Sequence, residues 1–251
     1  MSTYTALTTA GYRAQVRDAA TLFFTFAFPL VFLVVFGLIF SGQQLEESGR
    51  PYISYIAPGV MAWGVGNAAV FGIAFTLMQW RRDDLLRLIR LTPARLHTVL
   101  AARYVLVLGV GIAQAVVFTS VSLIPVFGME LHPRWPMAIP VLLLGITAFL
   151  GIGVIVGTYA NTPEAVAAIA NFLMVPMAFL SGSFLPLDMM PSWLQTLSRA
   201  LPLRYLNDAV AASLVGRGGW DDIATGCGVL IAFTFVLGAI ALRTFRWSNH
   251  T

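Results

Sequence analysis

The side chains that most often carry out chemistry in proteins are few in this sequence and far apart. Its three histidines are His97, His132 and His250, and its one cysteine, Cys227, lies inside a long apolar run. No serine or cysteine nucleophile can be placed with a histidine partner, and no group of residues has the spacing of metal ligands. We therefore predict that the chain is not an enzyme and that it holds no cofactor or metal of its own.

The basic residues exclude two further classes of protein. All fifteen lysine and arginine positions are arginine. A phosphate-binding P-loop needs a lysine that reaches the β and γ phosphates of a nucleotide, so this chain is not a P-loop ATPase. The formal net charge is +4, but the arginines stand beside apolar runs, where they set membrane topology. We therefore predict no nucleic-acid partner.

Composition indicates a membrane protein. Of 251 residues, 58% are hydrophobic and 10% are charged, whereas about a quarter of the residues in a soluble domain are charged. Six uncharged runs each reach the ~20 residues that cross the hydrocarbon core as a helix. They predict an all-α protein of one domain, residues 1–251, with spans near 20–42, 52–79, 98–127, 136–160, 165–181 and 222–243.

The most informative stretch precedes the last span. Residues 179–205 contain too many prolines and glycines for one continuous helix, yet they are too apolar for a solvated loop. Ser181-Gly182 can end a helix, Pro186 can open a short one, and apolar residues at helical spacing predict a short amphipathic helix over 191–201. We expect a re-entrant segment of broken helices over 182–203.

This stretch resembles the signature of the ABC-2 family of exporter permeases, which reads Ser-Gly-x-Phe-x-Pro, then Pro-x-Trp-Leu, then Pro-Leu-x-Tyr. The three blocks occur here in the same order and separation, and a weaker resemblance extends along most of the chain. The matching residues are Ser181, Gly182, Phe184, Pro186, Pro191, Trp193, Leu194, Pro202, Leu203 and Tyr205. The resemblance implies a homo- or heterodimeric permease that works with a separate ATPase subunit, which binds ATP and Mg²⁺. It also implies that residues 182–203 form a gate or shield near the external surface.

A charged segment between the second and third predicted spans is the other informative region. Its leucines and isoleucine can share one face while Arg87 and Arg90 point away, which predicts a short amphipathic helix over 81–92. Asp83 and Asp84 suit the positive end of that helix, and Thr92-Pro93 ends it.

In the ABC-2 family, the loop at this place is the coupling helix that docks on the ATPase subunit, and the pattern here resembles it. The usual family form has Arg-Glu and then Gly-Thr-Leu, and this sequence departs from it. A positive anchor that touches only lipid headgroups is the alternative. The residues assigned to coupling are Arg82, Asp83, Leu85, Leu86, Arg87, Ile89, Arg90, Thr92 and Pro93.

Arginine counts predict that both termini are cytoplasmic, because ten arginines flank one side of the predicted spans and five flank the other. Residues 1–18 have a partial apolar stripe, which predicts an interfacial helix; a solvated N-terminus is the alternative. Pro29, within the first predicted span, indicates a kink rather than a break, because a neighbouring helix can satisfy the freed carbonyl.

Several polar or flexible side chains of the predicted spans are candidates for a substrate path. For Asn67 the alternative is a hydrogen bond to a neighbouring helix, and for the Met and Phe residues it is ordinary core packing. Gly153 and Gly157, in the fourth predicted span, have the spacing that lets helices pack closely. The candidate path residues are Asn67, Gln114, Asn171, Phe172, Met174 and Met177.

The uncharged runs place no Asp, Glu, Lys or Arg inside any predicted span, so a proton- or ion-coupled transporter would lack the buried ionisable groups it needs. We therefore expect a permease of the bacterial inner membrane that moves an amphiphilic drug or lipid-like molecule outward while a separate subunit hydrolyses ATP. Two alternatives remain. One is export of a lipid-linked glycan by the same mechanism, and the other is a non-transporting membrane scaffold for a cytoplasmic partner.

Overall fold

A computed structural model describes residues 9, 11–13, 23–40, 51–85 and 96–244, without the side chains of residues 24, 96 and 97. The elements of this part of the chain are helices throughout, which confirms the predicted all-α fold class. Within the described ranges, the bounds of eight α-helices are α1 (Phe28–Ile39), α2 (Ile53–Arg82), α3 (Leu96–Ser122), α4 (Ala138–Tyr159), α5 (Pro163–Leu180), α6 (Ser192–Ser198), α7 (Pro202–Leu214) and α8 (Trp220–Thr244).

Five of these helices, α2, α3, α4, α5 and α8, are long and apolar enough to cross a membrane. A shorter apolar helix covers Thr25–Ile39, and the predicted first span of 20–42 extends past the described residues at both of its ends. The chain is therefore a multi-pass membrane protein. The cytoplasmic position of both termini stays a prediction, and so does the interfacial helix over residues 1–18.

Helix α2 lies at the centre of the bundle, where α1, α3, α4, α5 and α7 all pack against it. A Cβ atom at Gly153 would overlap the backbone of Val70, and one at Gly157 would overlap that of Ala74. Helices α2 and α4 therefore approach to backbone contact at the two glycines, as their spacing predicts. Helix α8 packs against α4 and α7 at the edge of the bundle.

The start of the first helix is distorted around a proline, and a side chain of α3 compensates for it. A π-helical turn, Phe23–Ala27, precedes α1. Pro29 has no N–H, so it cannot donate to the carbonyl of Thr25 four residues earlier. The fully buried Gln114 donates its Nε2 to that carbonyl oxygen at 2.9 Å instead. A neighbouring helix thus supplies the partner of the carbonyl that Pro29 leaves free, as the sequence predicts.

We predict that Gln114→Leu destabilises the bundle by about 1–3 kcal/mol, because the Thr25 carbonyl then lacks its partner in an apolar interior. The midpoint of thermal unfolding in detergent measures this loss. Gln79→Leu, at an exposed position of α2, is the matched control and should change little. Adding Pro29→Ala, which restores an N–H donor, should reduce the cost of Gln114→Leu. Equal midpoints for Gln114→Leu and Gln79→Leu would contradict this role of Gln114.

Candidate functional site

The chain breaks after α5 in a left-handed turn at Gly182, whose φ is +75°. The N–H of Gly182 donates to the carbonyl of Phe179 at 3.3 Å, and the N–H of Ser183 donates to that of Ala178 at 3.1 Å. These two hydrogen bonds form a Schellman motif, which closes the carbonyl end of a helix and favours glycine in the left-handed position. The predicted helix break is therefore present.

Two side chains from other helices bind the polar groups of this turn. The hydroxyl of Tyr55, in the first turn of α2, donates to the carbonyl oxygen of Gly182 at 2.8 Å. The side-chain nitrogen of Asn207, on α7, donates to the carbonyl oxygen of Ser181 at 2.9 Å and to the hydroxyl of Ser183 at 2.8 Å. Backbone groups that leave a helix in apolar surroundings must find partners. Tyr55 and Asn207 therefore make the break possible.

Sequence reasoning missed both residues. Tyr55 begins an apolar run, where an aromatic residue is the usual sign of a membrane interface. Asn207 lies in α7, a helix that the sequence analysis did not predict, and is 1% exposed. The one signal available in the sequence is an amide between apolar residues of an amphipathic stretch, because a buried amide needs hydrogen-bond partners.

Phe184 packs the segment after the turn against the bundle. Its ring lies 5.3 Å from that of Trp63 on α2, 5.7 Å from that of Phe32 on α1 and 5.3 Å from that of Phe179 on α5, all measured between ring centroids. Phe184 is 5% exposed, so three helices close around it. The aromatic position of the re-entrant motif is thus a packing residue.

The Pro-Leu-x-Tyr block closes the short helix that precedes it. Pro202 is the first residue of α7, where its missing N–H costs no hydrogen bond. One turn later, Arg204 donates to the carbonyl oxygen of Gln195 at 3.0 Å, and the hydroxyl of Tyr205 donates to that of Arg199 at 2.8 Å. These carbonyls lie at the end of α6, where backbone donors become scarce, and that of Gln195 also accepts from the hydroxyl of Ser198 at 2.7 Å.

The outer surface of the re-entrant segment is apolar. Pro186 and Pro191 stand immediately before a 3-10 turn, Leu187–Met189, and before α6. Met189 is 77% exposed and Trp193 is 66% exposed. The apolar stripe predicted over 191–201 therefore does not pack fully against the rest of this chain, and it is available to lipid or to another subunit.

Tyr55 also joins the turn to the loop between α7 and α8. The guanidinium of Arg217 lies 4.2 Å from the centroid of the Tyr55 ring, and its Nη1 donates to the backbone carbonyl of Tyr55 at 3.3 Å. Burial lowers the pKa of Arg217 from its ordinary value, and the neighbouring Tyr55 and Asp208 oppose that change. The Tyr55 hydroxyl lies 3.0 Å from the carbonyl oxygen of Leu185 as well.

At the other end of α2, the buried Arg81 ties the helix to α4. Its Nη1 donates to the carbonyl oxygens of Gly157 and Thr158, which belong to the last turn of α4 and lack partners inside that helix. A cation at the carbonyl end of a helix also interacts favourably with the helix dipole. The charged segment that follows α2 therefore begins next to a helix end that Arg81 holds against α4.

The predicted coupling helix of 81–92 is wrong at its start. Arg81 and Arg82 form the last turn of α2, where the side chain of Arg81 is held by hydrogen bonds to α4. Asp83 is the C-cap of α2 rather than the start of a helix, and Asp84 has φ +52°. Leu85 is helical again and 37% exposed. The other residues assigned to coupling, Leu86, Arg87, Ile89, Arg90, Thr92 and Pro93, lie outside the described residues.

The six candidate path residues do not gather in this single chain. Gln114 is buried against α1, and Asn67 is half-buried, with an Oδ1 that has no partner among the described residues. On α5, Met174 is fully buried and Met177 is half-buried. Asn171 and Phe172 face outward from the same helix. Their assignment to a substrate path stays a prediction, and it requires surfaces beyond one chain.

One expectation about charge is corrected by the helix bounds. The absence of charged residues from the uncharged runs indicated that no span holds one. Arg103 lies within α3 and donates its Nη2 to the carbonyl of Gly72 on α2 at 2.8 Å. The helix thus extends beyond the uncharged run, and this arginine has a carbonyl acceptor on the neighbouring helix.

We predict that Gly182→Val impairs folding, because valine disfavours a φ of +75° and its Cβ would lie 3.0 Å from Leu187 Cγ and 3.2 Å from the Tyr55 hydroxyl. The yield of monodisperse protein and the thermal midpoint measure this effect. Gly238→Val, at a helical position with open space around it, is the matched control. Normal folding of Gly182→Val would contradict the requirement for glycine.

We predict that Tyr55→Phe lowers stability by about 1–3 kcal/mol, because two backbone carbonyls of the re-entrant segment lose their only side-chain donor in the described structure. Thermal unfolding in detergent measures the loss. Tyr52→Phe is the control, since the Tyr52 hydroxyl is 3.5 Å from the carbonyl of Phe184 and its removal should cost less. The reverse order of the two variants would contradict the proposed role of Tyr55.

Comparison with known proteins supplies the family. The ABC-2 type transporter family matches residues 3–215. The inner membrane transport permease YadH of Escherichia coli K12 is 24% identical over 224 residues, which cover 87% of this chain and 82% of that protein. The daunorubicin resistance ABC transporter permease protein DrrB1 of Streptomyces coeruleorubidus is 24% identical over 230 residues, 88% of this chain and 78% of that protein.

A shorter match is to the linearmycin resistance permease protein LnrN of Bacillus subtilis, which is 28% identical over 112 residues, 44% of this chain and 29% of that protein. The family match includes both the predicted coupling segment and the re-entrant segment. Because it covers well over half of the sequence, this chain belongs to the ABC-2 type transporter family of membrane permeases.

Proposed function

We propose that this chain is the permease subunit of an ATP-driven exporter of the bacterial inner membrane, and that it moves an amphiphilic drug or lipid-like molecule outward. A separate subunit would bind ATP and Mg²⁺. Relatives named as transport permeases and as resistance permeases for daunorubicin and linearmycin support this class of cargo. The proposal concerns the substrate and the energy source, which the family alone leaves open.

The observation that carries the proposal is the course of α2. This one helix has 30 residues, which correspond to about 45 Å at 1.5 Å per residue. Its last turn leads into the predicted coupling segment, and its first turn holds the re-entrant turn through Tyr55. A displacement imposed by an ATPase on one end of α2 therefore acts on the re-entrant segment with no intervening loop.

The outer face of α5 supports a second permease subunit as a partner. Phe172 is 78% exposed and Phe179 is 47% exposed. Asn171, which precedes Phe172 near the middle of the helix, is exposed as well. A polar amide that faces lipid is unfavourable, whereas paired membrane helices use such residues for hydrogen bonds across their interface. We place the partner permease and the substrate path along this face; a homodimer and a heterodimer would both cover it.

We test the energy source by combining this chain with an ABC ATPase subunit from the same genome. We expect the two proteins to co-purify, and daunorubicin to stimulate ATP hydrolysis by the reconstituted complex. The double variant Arg87→Glu with Arg90→Glu should lower that stimulation at least about tenfold, because charge reversal at a docking surface places like charges in contact. Arg243→Glu, at an exposed position in the last turn of α8, is the matched control.

Unchanged assembly and hydrolysis in the double variant would contradict the role of the coupling segment. Transport is measured separately, as daunorubicin accumulation in cells with and without the permease and ATPase pair. Lower accumulation that depends on ATP hydrolysis supports export. Co-purification with no change in the accumulation of any amphiphile tested would instead indicate a non-transporting scaffold.

A further inference from the structure

Arg103 is a charged residue inside a candidate membrane span, and its charge is not balanced by the described protein. It lies within the apolar stretch Thr98–Ser122 of α3. Its Nη2 donates to the carbonyl oxygen of Gly72, and its Nε is buried with no hydrogen-bond partner among the described residues. Nor does any carboxylate of the described ranges form an ion pair with it. A guanidinium in apolar surroundings needs a counter-charge.

The one acceptor that the guanidinium has is a shared, neutral carbonyl. The hydroxyl of Thr76 donates to the same Gly72 oxygen at 2.8 Å. A carbonyl fixes the position of a guanidinium without neutralising its charge. Arginine has five N–H donors, and the terminal Nη1 is neither hydrogen-bonded to a described residue nor fully enclosed. Arg103 therefore presents an oriented donor that is open to a ligand.

The depth of Arg103 fits the headgroup region of a bilayer. It lies seven residues after the start of α3 at Leu96, about 10 Å along the helix axis, at the end of the bundle where the predicted coupling segment lies. Gly11, of the N-terminal segment, packs against Leu106, one turn further into the span. Its neighbours Tyr12 and Arg13 are exposed, as expected for a segment at the membrane surface.

The surface beside Arg103 on α2 suits an amphiphile. Phe71 and Phe75 flank Gly72, are partly exposed, and stack with a centroid distance of 5.7 Å. An apolar wall next to a cation offers a place for an acyl chain below a charged headgroup.

We propose that Arg103 forms, with this face of α2, a binding site for the anionic headgroup of a membrane amphiphile, a phosphate or a carboxylate. The amphiphile is either a resident anionic lipid of the bilayer or an anionic cargo molecule that enters from the same leaflet. The shared chemistry is a charge-assisted hydrogen bond from the Arg103 guanidinium to an anionic oxygen. The site does not depend on export, because a bilayer lipid would fill it in a protein that transports nothing.

The test uses the full-length chain, purified from bilayers of equimolar phosphatidylcholine and phosphatidylglycerol and examined by native mass spectrometry. We expect retention of phosphatidylglycerol over phosphatidylcholine by about tenfold, the size of one charge-assisted hydrogen bond. Arg103→Gln should abolish this preference, and Arg103→Lys should keep part of it. Arg243→Gln should retain it, since that arginine is exposed at the same end of the bundle. Size-exclusion profiles show that each variant is folded.

Two further arms test whether the site is specific and which source supplies its ligand. The wild-type preference should persist at about 1 M salt, which screens diffuse surface charge. Displacement of phosphatidylglycerol by dodecyl phosphate, and not by dodecyl maltoside, identifies an exchanging site for anionic cargo. Retention against dodecyl phosphate identifies a resident lipid. Equal retention of phosphatidylglycerol by the wild type and a folded Arg103→Gln would overturn the proposal. A wild type that does not prefer phosphatidylglycerol to phosphatidylcholine would overturn it too, since an acidic residue of the chain would then already neutralise Arg103.

Discussion

Hydrogen bonding of the backbone in apolar surroundings is the constraint on which this structure depends. Where the helical ladder is interrupted, a side chain from a different helix pairs with the exposed groups. Gln114 serves the carbonyl freed by Pro29, Asn207 serves the turn around Gly182, and Arg81 serves the end of α4. At these three places the irregularity of the backbone is therefore also a contact between helices.

This constraint gives α2 its position in the mechanism that we propose. Its middle packs at backbone distance on α4, where glycines leave no room for side chains. Its two ends carry polar contacts in addition to packing, through Tyr55 at one end and Arg81 at the other. Tight packing resists sliding, whereas hydrogen bonds at the ends can be exchanged at little net cost when new partners replace the old ones. Rearrangement is therefore expected at the ends of the helix.

The arginines do more than set the topology. Arg81, Arg103 and Arg217 each donate to backbone carbonyls, and Arg217 also lies over an aromatic ring. A planar guanidinium can stack and donate in fixed directions, which an ammonium group cannot do equally well. A chain without lysine thus uses its basic residues as structural donors at several levels of the bundle. Arg103 has one such acceptor among the described residues, the carbonyl of Gly72, which also accepts from the hydroxyl of Thr76.

Sequence alone determined the class of the protein, because long uncharged runs have one stable form in a bilayer and because the signature blocks require breaks at defined residues. It also identified Gly182 and the close-packing glycines, since those roles depend on the residue itself and its immediate spacing. It did not predict α7, nor the partnership of Tyr55 and Asn207 with the re-entrant turn, nor the end of α2 at Arg82. These features depend on residues that meet only after folding: Tyr55 and Gly182 are separated by 127 positions, and a hydrogen bond at that separation leaves no periodic trace in the sequence. The tertiary structure decided which polar side chains face which freed backbone groups, because their partners come from other helices.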